Sequence, residues 1–133
     1  MNDTVPSARL AKKLAIKAGQ RVIVHRCPDE LHETFKELGA AFDRGTIAEV
    51  TVSFVRARTE VEQAAKEALA LTGPQGVLWM CYPKKTGAIS SDLSRDSGWE
   101  AFTEKGWRIV SAIAVDDTWS ALRFRPSEEV GRT

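Results

Sequence analysis

Val-Leu-Trp-Met-Cys-Tyr, at residues 77–82, is the most hydrophobic stretch of this 133-residue chain. Turn-forming residues flank it, with Thr-Gly-Pro-Gln-Gly at 72–76 and Pro-Lys-Lys at 83–85. A short continuous apolar run between turns is typical of a strand buried on both faces. Such a strand needs a layer of helices on each side, so the stretch predicts a three-layer α/β domain.

Four further segments have strand character, at residues 21–25, 49–55, 107–115 and 119–125. Helices connect the first three strands along the chain, which predicts parallel pairing with right-handed crossovers. A short turn at 116–118 joins the last two, which predicts an antiparallel pair. We therefore expect a mixed sheet of about five strands, in the order 1-2-3-5-4, with the last strand antiparallel.

Helical periodicity occurs at residues 8–17, 30–38, 59–71 and 98–105. Asp29 is placed to cap the second of these helices. Thr59 and Glu62 have the spacing of a capping box for the third. The chain is expected to form a single domain over 1–133, with an ordered core at about 8–126 and tails at 1–7 and 127–133.

Composition and charge exclude several classes of protein. Nineteen basic and eighteen acidic residues give a net charge of +1, which predicts neither a nucleic-acid coat nor an acidic-substrate binder. No apolar run approaches the roughly eighteen residues of a membrane span, and no signal-type stretch begins the chain, so we expect a cytoplasmic protein. Neither Cys27 and Cys81 nor His25 and His32 have metal-ligand spacing, so no metal site and no cofactor are predicted.

A candidate ligand site follows from the strand order, because ligands bind beyond the carboxyl ends of strands in open parallel sheets. Basic residues follow each of the first three strands, and the turn before the last strand should share their edge. The candidate site residues are Arg26, Arg56, Arg58, Lys84, Lys85, Asp117, Trp119 and Ser120. Arginine and lysine converging from three loops favour an anionic small molecule or an acidic partner. Nucleic acid is not favoured at this rim, since no interleaved aromatic residues accompany the charges.

Each of these residues also has an interpretation without a ligand. Lys84 could pair with Asp116 or Asp117, and an aspartate before a Thr-Trp turn usually caps that turn. A tryptophan that begins a strand is more often packed in the core or at the rim. His25 fits a hydrogen-bonded core or edge histidine better than a catalyst. No catalytic residue is assigned, because no nucleophile elbow and no Walker-type loop occurs.

Two segments resemble class I S-adenosylmethionine-dependent methyltransferases. Ile-Lys-Ala-Gly-Gln-Arg-Val-Ile-Val at 16–24 is similar to that family's entry to its first strand. Leu-Thr-Gly-Pro-Gln-Gly-Val-Leu-Trp at 71–79 is similar to its turn from a helix into the fifth strand. The chain departs from the family after Val24, where it has His-Arg-Cys-Pro-Asp at 25–29 in place of a glycine-rich loop. It also has too few residues for two further β-α units. The resemblance implies a truncated methyltransferase-like scaffold without the cofactor site, with strand one at an edge and no reversal of strand order beside it.

A second resemblance covers about Leu14 to Pro126. Tyr-Pro-Lys-Lys at 82–85 and Asp-Thr-Trp-Ser-Ala-Leu-Arg-Phe at 117–124 carry it, together with Gly19 and Asp-Leu at 92–93. These residues resemble a small bacterial family known only as domain of unknown function three-zero-five-two. The resemblance implies a bacterial, cytoplasmic protein and assigns no activity.

Three functions remain open from the sequence. The first is non-enzymatic binding of an anionic small molecule or a partner at the carboxyl-end rim of the sheet. The alternative is a degenerate methyltransferase-like group-transfer enzyme. The third is a pure protein-interaction module. The missing glycine loop counts against an enzyme, and the basic rim counts against a module that uses only apolar surface.

Overall fold

The computed structural model describes residues 6–17, 19–42, 47–85 and 89–126. Its elements in chain order are α1 (Pro6–Lys13), β1 (Val22–His25), α2 (Asp29–Glu37), β2 (Ala41–Phe42), β3 (Ala48–Phe54), α3 (Arg58–Leu71), β4 (Thr72–Pro83), α4 (Glu100–Thr103), β5 (Trp107–Ala114) and β6 (Trp119–Pro126). Among the described elements, no helix has the length and apolar character needed to cross a lipid bilayer. The predicted tails at 1–7 and 127–133 lie mostly outside these ranges.

The strands form one mixed sheet in the order β2-β1-β3-β4-β6-β5. β1 pairs in parallel with β2 and with β3, and β3 pairs in parallel with β4. β6 is antiparallel to both of its neighbours, β4 and β5. The predicted fold class is therefore confirmed, including the antiparallel last strand and the order of the five strands that the sequence indicated.

The strand count is corrected from about five to six by β2, which pairs Ala41 with Ile23 and Phe42 with Val24. Two residues are too few to show the alternation by which a strand is recognised in a sequence. The expectation that β1 lies at an edge of the sheet is therefore wrong, because β1 is an interior strand with β2 on one side and β3 on the other. The strand that follows β1 in the chain, β2, lies on one side of it, and the next strand, β3, lies on the other. The strand order therefore reverses beside β1.

Each face of the sheet carries its own hydrophobic core. Helices α1 and α2 cover one face, which we call the α1/α2 face, and its buried strand residues are Val22, Val24, Val50, Val52, Phe54, Trp79, Cys81, Trp119 and Ala121. Helices α3 and α4 cover the opposite, α3/α4 face, where Leu78, Met80, Tyr82, Leu122 and Phe124 are buried. β4 supplies both cores in alternation, which confirms the prediction of a central strand covered on both sides.

Two helix ends differ from the sequence predictions. Helix α2 begins at Asp29 itself, so Pro28 takes the N-cap position and makes no side-chain hydrogen bond to the helix. The capping box of Thr59 and Glu62 is not formed, because α3 already begins at Arg58. The backbone N–H of Arg58 instead donates a 2.9 Å hydrogen bond to the carboxylate of Asp92, far along the chain. Because Asp92 is distant from α3 in the chain, no local sequence pattern predicts this cap.

Helix α1 ends at Lys13, before its predicted end at Lys17, and Ala15 takes a left-handed conformation with φ of 60°. Trp79 holds this end of the helix in place. Its indole Nε1–H donates a 3.0 Å hydrogen bond to the carbonyl of Leu14 in the buried core. A buried carbonyl that loses its donor costs more stability than an ordinary hydrogen bond contributes.

We predict that Trp79→Phe lowers the free energy of unfolding by about 1–3 kcal/mol more than Trp119→Phe does. Both indoles are buried, but the Nε1–H of Trp119 has no hydrogen-bond partner among the described residues. The two variants therefore lose similar volume, and only Trp79→Phe leaves the Leu14 carbonyl unpaired. Urea denaturation followed by circular dichroism measures the difference. Equal losses in the two variants would contradict the assigned role of the Trp79 hydrogen bond.

Candidate functional site

Three loops meet at the carboxyl edge of the sheet. The N–H of Lys84, just after β4, donates a 2.8 Å hydrogen bond to the carbonyl of Thr118 in the β5–β6 turn. The guanidinium carbon of Arg56, just after β3, lies 5.5 Å from the ring centroid of Trp119. Ser91, in the loop after β4, donates a 2.7 Å hydrogen bond to the carbonyl of Arg56. The loops that the sequence places at a common edge are thus in direct contact.

A cavity of about 370 Å³ opens at this edge beside the end of β4. We call it the rim cavity, and its lining residues are Tyr82, Lys84, Lys85, Ser94, Arg95, Asp96 and Ser120. Three of the predicted site residues, Lys84, Lys85 and Ser120, are therefore brought together. The volume of the rim cavity lies in the range of small-molecule sites, and its lining residues are mostly polar.

A tight turn presents Arg95 and Asp96 to the rim cavity. Ser94 and Ser97 exchange two backbone hydrogen bonds, of 3.2 and 3.4 Å, on either side of these two residues. The indole Nε1–H of Trp99 donates a 2.7 Å hydrogen bond to the carbonyl of Ser94. Since Trp99 is itself buried in the α3/α4 core, the turn is fixed to the body of the domain.

Gly98 follows this turn at a position where the backbone conformation and the packing both require glycine. Its φ of 105° lies in the left-handed region, and a Cβ at this position would overlap the side chain of buried Leu93. Leu93 is anchored in turn, because its N–H donates a 3.1 Å hydrogen bond to the hydroxyl of Ser91. The loop that carries Arg95 is therefore held from both ends.

Cations outnumber carboxylates in the rim cavity. Lys84, Lys85 and Arg95 contribute three positive charges, and Asp96 contributes one negative charge. Within the described part of the chain no ion pair engages these three cations, and Lys84 is not paired with Asp116 or Asp117. An anion in the cavity would supply the charge that the protein does not.

Tyr82 stands at the inner wall of the rim cavity, directly opposite Ser120 in the β4–β6 pairing. Burial raises the pKa of its phenol above the usual value of 10.0, whereas the hydrogen bond to Ser120 and the charge of Arg95 lower it and Asp96 raises it. The phenol is therefore protonated at neutral pH, and its O–H is a donor as well as an acceptor.

Asp117 and Trp119 lie at the same edge but outside the rim cavity. The turn is capped by Asp116, whose carboxylate accepts 2.8 Å hydrogen bonds from the N–H groups of Thr118 and Trp119. Asp117 is exposed. Trp119 is fully buried, with its ring 5.0 Å from that of Phe54 in an edge-to-face arrangement. It is a core residue, and its ring is not offered to a ligand.

Arg58 and Arg26 are also separate from the rim cavity. The guanidinium of Arg58 lies 3.7 Å from the carboxylate of Glu100 on α4. Arg26 follows β1, and its Nε lies 3.4 Å from the carboxylate of Glu67 on α3. The five cations of the predicted rim are thus divided, and only the two lysines after β4 line the rim cavity.

A second cavity, of about 480 Å³, lies between β1 and α3 and is lined by His25, Arg26, Glu67, Ala70 and Leu71. His25 is buried, as the sequence predicts, with its Nδ1 3.9 Å from the carboxylate of Glu67. Its Nε2 has no hydrogen-bond partner among the described residues. No three His, Cys, Asp or Glu side chains in the described ranges are grouped so that they could hold a metal ion.

The backbone after β1 has an unusual conformation. Arg26 adopts φ of 59°, in the left-handed region, although it is not a glycine. For an L-residue this conformation costs about 1–2 kcal/mol, and such residues cluster at ligand sites. It occurs at the carboxyl end of β1, next to the reversal of strand order, where open α/β sheets bind ligands.

Comparison with known proteins identifies the fold. No family model and no curated protein sequence matches the chain. Among solved structures, it is similar to a TehB-like SAM-dependent methyltransferase from Corynebacterium glutamicum, with a TM-score of 0.56 at 14% identity over 94% of this chain and 89% of that one. It is also similar to the magnesium protoporphyrin IX methyltransferase ChlM from Synechocystis, with a TM-score of 0.57 at 9% identity over 90% and 80% of the two chains.

A third similar structure is the ribosomal protein L11 methylase from Lactobacillus delbrueckii subsp. bulgaricus. Its TM-score is 0.55 at 9% identity, over 91% of this chain and 77% of that one. The chain therefore has a methyltransferase-like Rossmann fold, and the predicted methyltransferase-like arrangement of elements is confirmed. The resemblance to domain family three-zero-five-two stays a prediction.

Titration of Tyr82 tests the geometry of the rim cavity, because it is the chain's one tyrosine. We predict that tyrosinate absorbance gives a pKa above 10.0, that Arg95→Gln raises it further and that Asp96→Asn lowers it. Since the folded pKa lies above the unfolded one, the corresponding stability is complete below about pH 10 and is lost as the pH rises through the folded value. An unshifted pKa, or no response to either variant, would place the phenol outside this environment.

Proposed function

We propose that the chain is a methyltransferase-like group-transfer protein whose substrate carries an anionic group. The observation that carries the proposal is the reversal of strand order beside β1, which a sheet without β2 would lack. The chain is similar to solved methyltransferases over more than nine-tenths of its length, which supports a group-transfer protein over a purely non-enzymatic binder. A cytoplasmic location and a bacterial source stay predictions.

The turn after β1 is where such a fold would hold a nucleoside cofactor, and its backbone fits that role. Arg26 already has the left-handed conformation, and Pro28, at the N-cap position of α2, supplies no side-chain cap. N–H groups at a helix start favour a negatively charged or carboxylate group. S-adenosylmethionine, when bound, supplies an electrophilic methyl group. No glycine occurs between His25 and Asp29, so side chains limit how closely a ligand approaches this backbone.

The side chains that line the rim cavity indicate the class of substrate that it would bind. Arg95 is planar and forked, which suits the two oxygens of a carboxylate or phosphate, and Lys84 and Lys85 add point charges. The protonated phenol of Tyr82 can donate to the same anion. Because Trp99 holds the carbonyl of Ser94, the backbone of the turn that carries Arg95 is in place before a ligand arrives.

A second candidate function is supported by the same cavity. If no methyl donor binds, the chain is a binding protein for the anionic ligand alone, which is the function that the sequence favoured. The difference between the two candidates lies at the turn after β1 and not at the rim cavity, so the two sites can be tested separately.

Cofactor binding is tested by isothermal titration calorimetry of the full chain with S-adenosylmethionine and S-adenosylhomocysteine. We predict binding of both, retained in Arg26→Asn and weakened at least tenfold in Arg26→Val. Asparagine tolerates the left-handed conformation and a β-branched residue does not. The melting temperature of each variant checks that the comparison is made on folded protein. No binding by the wild-type chain would reject the group-transfer proposal.

Anion binding is tested by the thermal shift of the full chain with inorganic phosphate and a dicarboxylate. A ligand at about a hundred times its dissociation constant adds roughly 2.7 kcal/mol, which raises the melting temperature by several degrees. We predict that the shift is lost in Lys84→Gln/Lys85→Gln and enlarged in Asp96→Asn, which removes the cavity's one carboxylate.

The matched control is Lys36→Gln, which removes an exposed lysine from α2, away from the rim cavity. It is expected to leave the anion shift unchanged. An equal reduction in Lys36→Gln would indicate a general charge effect, and no shift in the wild-type chain would remove the rim cavity as a binding site for these anions.

A further inference from the structure

A group of arginines lies on the α1/α2 face of β5 and β6. Leu122 and Phe124 of β6 pack in the α3/α4 core, so Arg123 and Arg125, which alternate with them, point to the opposite face. On β5, Trp107 and Ile109 pack in that same core, which places Arg108 on the α1/α2 face as well. We call the surface formed by Arg108, Arg123 and Arg125 the arginine face.

The three guanidinium groups are neighbours in the sheet. Arg108 lies directly opposite Arg125 in the β5–β6 pairing, and Arg123 lies opposite Ser111 on the same face. Burial and the charge of Arg125 both lower the pKa of Arg123, and its Nε is buried without a hydrogen-bond partner among the described residues. Arg108 and Arg123 are thus two cations on one face of the antiparallel β5–β6 pair.

Helix α1 adds positive charge next to the arginine face. The ammonium of Lys13 donates a 3.3 Å hydrogen bond to the carbonyl of Ala114, at the end of β5. Ala114 is three residues from Ser111, about 10 Å along the strand. The carbonyl of Leu14 accepts from Trp79, the residue that lies opposite Arg123 in the β4–β6 pairing. Two separate contacts thus place the end of α1 beside the arginines.

The charge of the chain is unevenly distributed, although its net value is only +1. No aspartate or glutamate occurs in α1, β5 or β6. Four of them occur in α2 alone, at Asp29, Glu30, Glu33 and Glu37. Helix α1, β5 and β6 thus carry basic residues and no acidic ones, and the rim cavity is a different site.

We propose that the arginine face binds the phosphate backbone of a nucleic acid. Guanidinium groups match phosphate oxygens in geometry, and several of them on one face of a strand pair fit repeated charges better than one small anion. A protein partner would need an apolar centre to the interface. In the described ranges the exposed large hydrophobic residues are Ile47 and Val110, which do not form such a centre. The proposal rests on Arg108 and Arg123, and does not require Arg125 to be unpaired.

The test is fluorescence anisotropy of the full chain with a short labelled single-stranded RNA of mixed sequence, titrated at salt from about 50 to 200 mM. We expect affinity to fall steeply with salt, with a logarithmic slope of about −0.7 for each phosphate contact. Arg108→Gln and Arg123→Gln should each weaken binding and reduce the slope by about 0.7. Arg108 is exposed, so its replacement does not depend on repacking.

Lys66→Gln is the matched control, since Lys66 is exposed on α3, on the other side of the sheet. It should leave both affinity and slope unchanged. Three results would each overturn the proposal: no binding of RNA at low salt, an equal effect of Lys66→Gln, or tighter binding of an acidic peptide than of RNA with the same number of charges. The last result would assign the face to an acidic protein partner.

Discussion

The burial of β4 on both faces is the constraint on which the remainder of this structure depends. Its side chains enter the two cores in alternation, with Leu78, Met80 and Tyr82 in one and Trp79 and Cys81 in the other. Two helical layers are needed to cover such a strand, and the strands beside it must also be largely apolar. Both cores and the neighbouring strands β3 and β6 pack against β4, so the position of its carboxyl end is fixed. The rim cavity lies beside that end.

The antiparallel insertion of β6 between β4 and β5 determines which residues meet that end. It returns the chain to the carboxyl edge at the β5–β6 turn, so Ser120 stands opposite Tyr82 and the carbonyl of Thr118 accepts from Lys84. Farther along β6, the alternation of side chains directs Leu122 into the α3/α4 core and Arg123 to the α1/α2 face. One strand thus contributes a hydroxyl to one candidate site and a guanidinium to another, and the two lie on different parts of the surface.

Periodicity predicted most of the fold, and local pattern could not predict the rest. The apolar run at 77–82, the order of five strands and the meeting of three loops follow from the sequence because each depends on residues near one another in the chain. β2 is too short to show a pattern, and the cap from Asp92 to α3 is a tertiary contact. At the rim, Lys84, Lys85 and Ser120 follow directly from strand ends. Arg95 does not, because a turn fixed by Trp99 carries it there.

The shortness of β2 has a consequence for the behaviour of the chain at high concentration. The outer strand of a sheet presents unpaired N–H and C=O groups that can template the strand of another molecule. With two residues, β2 offers almost no such template. At the opposite edge, β5 has an irregular register between Ile109 and Ser111 and carries the charge of Arg108. Both edges are thus poor surfaces for strand addition, so the sheet has little tendency to extend into aggregated β-structure.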